Sequence, residues 1–162
     1  MATIRSFSAP TVGCEGLTWD GRALWVSSPT NGYLYQLDPR TGTTIRSFAA
    51  PCSYPRGLAW DGRTLLVYDD TAVVAYQVDP RKGTVLRSLS CGAAGVRGIG
   101  WDGRALWLTD QALNTISQVD PRKGTTIRSF GAPGSDPRGL AWDGRTLWVL
   151  DTSLDTIYQV SL

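Results

Sequence analysis

The chain has 162 residues, 42% of them hydrophobic and 19% charged, with a formal net charge of +2. That length suits one compact domain, and so modest and mixed a charge excludes a disordered tail and gives no reason to expect nucleic acid. No apolar run approaches the roughly 18 residues that a membrane helix needs. The opening MATIRSFSAP lacks the apolar core of a secretory signal, so a cytoplasmic location is expected. There is no histidine, which removes the commonest general base, the Ser/His and Cys/His relays, and imidazole metal sites.

Taken in chain order, residues 2–7 (ATIRSF) read as a strand, and from Gly16 onward the chain repeats itself. Trp19, Trp60, Trp101 and Trp142 recur every 41 residues, as do Gly16, Gly57, Gly98 and Gly139. A second series is Trp25, Trp107 and Trp148, with Leu66 in the vacant place, so all seven Trp sit on the repeat. The units run at about 16–56, 57–97, 98–138 and 139–162. A fixed period of this length marks a repeat architecture.

Each unit holds four short β-prone runs, shown by GLAW (139–142), TLWVLD (146–151), TIYQV (156–160) and, from the unit before, TTIRSF (125–130). Asp-Gly, as at 61–62 and 102–103, separates the first two runs and is a hairpin signal because Gly readily takes positive φ. Asp-Pro-Arg-Lys-Gly, as at 79–83 and 120–124, joins the third to the fourth: Asp accepts a turn hydrogen bond, Pro presets φ, and Gly takes the left-handed place. The spacing predicts an all-β fold, a β-propeller of four-stranded antiparallel blades. The central runs are apolar on both faces, since Leu147 and Val149 point one way and Trp148 the other, and such a sheet hides both faces only between two others. The last unit stops at QVSL without a fourth strand, and the N-terminal strand supplies one, a Velcro closure within a single domain spanning 1–162.

Neighbouring blades diverge by about 90° in a four-fold ring and about 45° in an eight-fold ring, both within the range of known propellers. These units have tight hairpins and an outer strand of modest residues such as Thr43, Thr44 and Ser47, which leaves little to fill a wide wedge. The chain itself is therefore the expected partner: two copies forming an eight-bladed homodimer, each N-terminal strand completing the other's last blade. A four-bladed monomer is the alternative.

The turns divide between two ends of the ring. One end repeats Asp-Gly-Arg and Asp-Pro-Arg almost unchanged, whereas the other varies: SSPTNG, YDDTAV, TDQALN, LDTSLD. A specific site is expected on the varied end. There Arg56, Arg97 and Arg138, at the entry to the inner strands, and Asp69, Asp110 and Asp151 form the candidate ligand-binding set. The plainer reading is that these residues pair with one another or cap loops. Trp19, Trp60, Trp101 and Trp142, and with them Trp25, Trp107 and Trp148, are read as packing between blades rather than as ligand-binding aromatics. Cys14, Cys52 and Cys91 fall at different phases of the repeat and form no metal-ligand or disulfide pattern, so free thiols, no metal and no cofactor are expected.

The entry Pro-Arg-Gly-Leu-Ala (137–141), with Asp-Gly-Arg-x-Leu-Trp-Val (143–149) and Asp-Pro-x-x-Gly (120–124), resembles blades of the NHL/YVTN and streptogramin-lyase-like propellers, and of glutamine-cyclotransferase-like propellers, over nearly the whole chain. The lyase resemblance implies a catalytic His that this chain lacks, so no catalytic residue is carried over. The resemblance also implies a larger ring, since enzymes of this group usually span more blades than four, so the chain looks like half of such a ring, natural or engineered. The reading that follows is a non-enzymatic scaffold that self-assembles; a small-molecule or glycan-binding module is the alternative.

Overall fold

A computed structural model describes residues 2–69, 71–72, 74–90, 98–110, 112–120 and 125–162. Sixteen strands make four antiparallel four-stranded sheets, and no helix occurs among the described residues. Blade I holds β2 (Gly16–Trp19), β3 (Leu24–Ser28), β4 (Tyr33–Leu37) and β5 (Thr44–Ala49). Blade II holds β6 (Pro55–Trp60), β7 (Leu65–Asp69), β8 (Val74–Val78) and β9 (Val85–Ser90). Blade III holds β10 (Ile99–Trp101), β11 (Leu106–Asp110), β12 (Thr115–Val119) and β13 (Thr126–Gly131). Blade IV takes β14 (Pro137–Trp142), β15 (Leu147–Asp151) and β16 (Thr156–Ser161) from the end of the chain, and its outer strand, β1 (Ala2–Ser8), from the start. The fold is a four-bladed β-propeller. Its Velcro strand runs antiparallel to β16, from Ala2 opposite Ser161 to Ser8 opposite Thr156.

Local chemistry sets each turn. Between the first and second strands Gly21, Gly62, Gly103 and Gly144 have φ of 94°, 97°, 90° and 95°, a region closed to most side chains. The Asp before each Gly accepts two backbone N–H bonds through one oxygen, as Asp143 Oδ1 does from Arg145 (2.9 Å) and Thr146 (2.7 Å). At the third-to-fourth hairpin the Gly42 N–H reaches the Asp38 carbonyl at 2.8 Å, and Gly42 has φ 75°. This glycine serves a second purpose, because the ring of Phe7 from the neighbouring blade lies where a Cβ would stand.

Among the described residues the core forms three clusters, each between two blades. At the IV/I junction Trp148, Leu150 and Ile157 pack on Leu17, Leu24 and Val26. Trp25 and Leu34 pack on Leu58, Leu65 and Val67 at I/II, and Trp107 and Ile116 on Leu140, Leu147 and Val149 at III/IV. In each case the second-strand Trp is at most 2% exposed. A Phe of its own outer strand lies beside it, with centroids 5.8 Å apart for Phe7–Trp148, 5.7 Å for Trp25–Phe48 and 6.5 Å for Trp107–Phe130.

Both outermost and innermost strands carry a shift in register. On the outer strands the unpaired extra residue is Ile4 in β1, Ile45 in β5, Leu86 in β9 and Ile127 in β13, always at the same phase of the repeat. On inner strands β6 and β14 it is Arg56 and Arg138.

Candidate functional site

The bulge at Arg56 and its twin at Arg138 re-aim two guanidinium groups from the inner strands of blades II and IV. They meet on one residue of the blade between them. Arg138 Nη1 donates to Glu15 Oε1 at 2.7 Å, and Arg56 Nε lies 3.0 Å from Glu15 Oε2. Arg138 also pairs with Asp136, Nη2 to Oδ2 at 3.2 Å, and the Arg56 guanidinium lies 4.9 Å from the Tyr54 ring centroid. All these carboxylate and guanidinium side chains are 15–20% exposed. At that depth an ion pair is screened less than on an open surface. Both Glu15 oxygens are engaged, so the cluster ties blades II, I and IV together at the entry to their inner strands. It offers no lone general base, and an incoming anion has to displace Glu15 from its two arginines.

Glu15 stands one repeat before Arg56, in phase with Arg56, Arg97 and Arg138. The sequence reading does not single out Glu15, although the 41-residue spacing displays the exchange of Glu for Arg at this phase. Arg97 lies outside the described residues.

The acidic members of the candidate set sit elsewhere. Asp69 is 5% exposed and accepts the N–H groups of Thr71 (2.8 Å) and Ala72 (3.1 Å). Asp151 is fully buried, takes Ser153 Oγ (2.5 Å) and Leu154 N (3.0 Å) on Oδ1, and the Asp136 N–H (2.7 Å) on Oδ2. Asp110 is exposed and accepts the Leu113 N–H at 2.9 Å. Each carboxylate caps the hairpin that follows its strand, and Asp151 also secures the connector entering blade IV. Among the described residues no group of three or more His, Cys, Asp or Glu is placed to hold a metal ion.

At the uniform end the turn aspartates do more than close hairpins. Besides their two backbone bonds, three of them accept an indole N–H: Trp25 to Asp20 at 2.7 Å, Trp107 to Asp102 at 2.8 Å and Trp148 to Asp143 at 2.8 Å. Gln36, Gln77 and Gln118 of the third strands donate to Asp20, Asp61 and Asp102 at 3.2, 2.8 and 3.0 Å. The second Trp series is thus packing and polar anchor at once. Sequence reading takes it as packing alone; the paired signal was a Gln recurring with each Asp. The side-chain hydrogen bond from Thr64, with those from the Thr64 and Arg63 amides and Gln77, holds the Asp61 carboxyl well below the usual range. Burial pushes the Asp102 and Asp143 carboxyls upward, but their hydrogen bonds together outweigh it and both lie below their ordinary value.

The two described thiols are free and held protonated. Burial pushes both Cys14 and Cys52 up to about 12. Cys14 is fully buried and donates to the Thr11 carbonyl at 3.2 Å. Cys91 lies outside the described residues. Of the first Trp series, Trp19, Trp60 and Trp142 flank the three clusters, whereas Trp101 is 52% exposed.

No protein-family model matches the chain, and no curated protein matches its sequence. Solved structures do match. Glutaminyl cyclase from Myxococcus xanthus superposes on 90% of this chain and 71% of its own, at TM-score 0.55 and 14% identity. Virginiamycin B lyase from Staphylococcus aureus matches 98% of this chain and 55% of its own, at TM-score 0.45 and 20% identity. Hydrazine synthase from Kuenenia stuttgartiensis matches 90% of this chain and 44% of its own, at TM-score 0.46 and 21% identity. The chain spans about half the length of the last two. At such identities the likeness to the cyclase shows the propeller fold alone.

Proposed function

We propose that this chain is a non-enzymatic scaffold whose blades self-assemble, two copies forming an eight-bladed ring. The observation that carries the proposal is the pairing of β1 with β16. Blade IV is the one sheet built from both ends of the chain, and its outer strand is held by that ladder and by contacts at the IV/I junction. Exchanging β1 between two copies keeps every pair from Ala2–Ser161 to Ser8–Thr156, and an eight-fold ring sets neighbouring short blades at a narrower angle. The scaffold reading is supported by how the polar groups are used. Glu15 is ion-paired, Asp69, Asp110 and Asp151 cap hairpins, and the buried thiol of Cys14 is held protonated. Light scattering on a gel-filtration peak tests the assembly. A mass of two chains is expected, and a mass of one chain overturns it.

A further inference from the structure

Three junctions hold an indole at one repeated place, and the fourth does not. Blade II has Leu66 where blades I, III and IV have Trp25, Trp107 and Trp148. The same junction is short of bulk at three more phases. Ala75 stands where the others have Leu34, Ile116 and Ile157, Leu89 stands in sequence where they have Phe48, Phe130 and Phe7, and blade III presents Ser117 in place of Tyr35, Tyr76 and Tyr158. The exposures follow. Trp25, Leu34 and Trp148 are buried, but Leu66 and Ala75 are half-buried. On the facing blade Leu108 is half-buried where Val26, Val67 and Val149 are fully buried, and Trp101 is 52% exposed.

The polar half of the missing indole's site is nevertheless intact. In blade IV, Asp143 Oδ2 accepts the Thr146 hydroxyl at 2.7 Å and the Trp148 N–H at 2.8 Å together. In blade II, Asp61 Oδ2 accepts the Thr64 hydroxyl at 2.6 Å and the Gln77 amide at 2.8 Å, with an indole donor absent because residue 66 is Leu. We infer that the II/III junction is a binding slot for a small planar aromatic carrying one N–H donor, a ligand of the indole class. Its ring lies between Leu66 and Ala75 on one side and Trp101, Leu108 and Ser117 on the other, and its N–H reaches Asp61. The recognition logic is that of the sibling junctions: an apolar face excludes water while a preformed acceptor selects the donor. The slot belongs to two consecutive blades of one chain, and its test is separate from that of ring size.

Indole itself is the probe, titrated calorimetrically into the intact protein beside 1-methylindole, which has the same shape and no N–H donor. Saturable binding of indole is expected, with 1-methylindole weaker by about tenfold for the lost hydrogen bond. Leu66→Trp fills the slot from blade II and Ser117→Tyr narrows it from blade III; both are expected to lose indole binding and keep the far-ultraviolet circular dichroism of the parent. Absence of saturable heat, equal affinity for the two ligands, or undiminished binding in a folded filled variant overturns the inference.

Discussion

The IV/I junction and the II/III junction are built from the same repeat and pack differently. At IV/I, Trp148 is 2% exposed, its N–H is anchored on Asp143, and Phe7 lies beside it. At II/III the corresponding Leu66 is half-buried and the facing Trp101 is 52% exposed. Backbone architecture is shared, since both blades keep four paired strands and the same Asp-Gly turn. What differs is side-chain volume, so the hydrogen-bonded sheet does not seal a propeller; the layer between sheets does.

Truncation separates the two junctions most strongly. Trp148→Ala should cost about 3–5 kcal/mol and Leu66→Ala about 1 kcal/mol, because a fully enclosed indole leaves a cavity and a half-buried Leu side chain leaves little of one. Urea unfolding of both variants measures the gap, and equal losses would erase the distinction drawn between these junctions.

Gly139→Ala probes the sealed side from the inner strand. A Cβ there would stand 2.6 Å from Leu17 Cβ and 2.9 Å from the Leu17 nitrogen, so backbone has to move. The expected loss is about 1–3 kcal/mol, read as a lower urea midpoint at unchanged slope.

Glu15→Gln sharpens the comparison at the axial end, where Glu15 ties blade I to blades II and IV. Loss of charge on the shared partner of Arg56 and Arg138 should cost about 1–2 kcal/mol, and the deficit should shrink in 1 M salt as the parent's own pairing is screened.

The smallest effect is that of pH. The Asp61, Asp102 and Asp143 carboxyls lie below their ordinary value when folded. Their stabilisation is fully present above the unfolded value of about 4 and is lost as pH falls through the lowered folded values, because the unfolded chain binds protons first. The urea midpoint should hold steady from pH 7 to pH 5 and decline below about pH 4, and Asp143→Asn should flatten that decline.

Much of this was legible in the sequence, for reasons visible in particular residues. The 41-residue recurrence of Trp19, Trp60, Trp101 and Trp142, with Asp-Gly and Asp-Pro turns between, specifies blades because turn chemistry is local and acts within four or five residues. The strand at 2–7 was readable as the missing outer strand for the same reason, and it runs one residue further, to Ser8. Ion pairing of Arg56 and Arg138 was readable as the plainer reading, but their shared partner Glu15 was not. Arg138 and Glu15 are 123 residues apart, and their meeting depends on a bulge that shifts Arg138 out of register. Nor did the Trp-to-Asp hydrogen bonds emerge from a reading that assigned Trp to packing and Asp to turns, since each bond joins the two roles. The underfilled junction lay open to inspection: Leu66, Ala75 and Ser117 each break a series that the other copies keep.

The residues left over where the outermost strands lose register, Ile4, Ile45, Leu86 and Ile127, have a consequence for life at high concentration. A strand from another molecule zips onto a rim only if that rim presents donors and acceptors at an even cadence, and one surplus residue per rim breaks it. Fibrous stacking through the perimeter is thereby discouraged at all four rims.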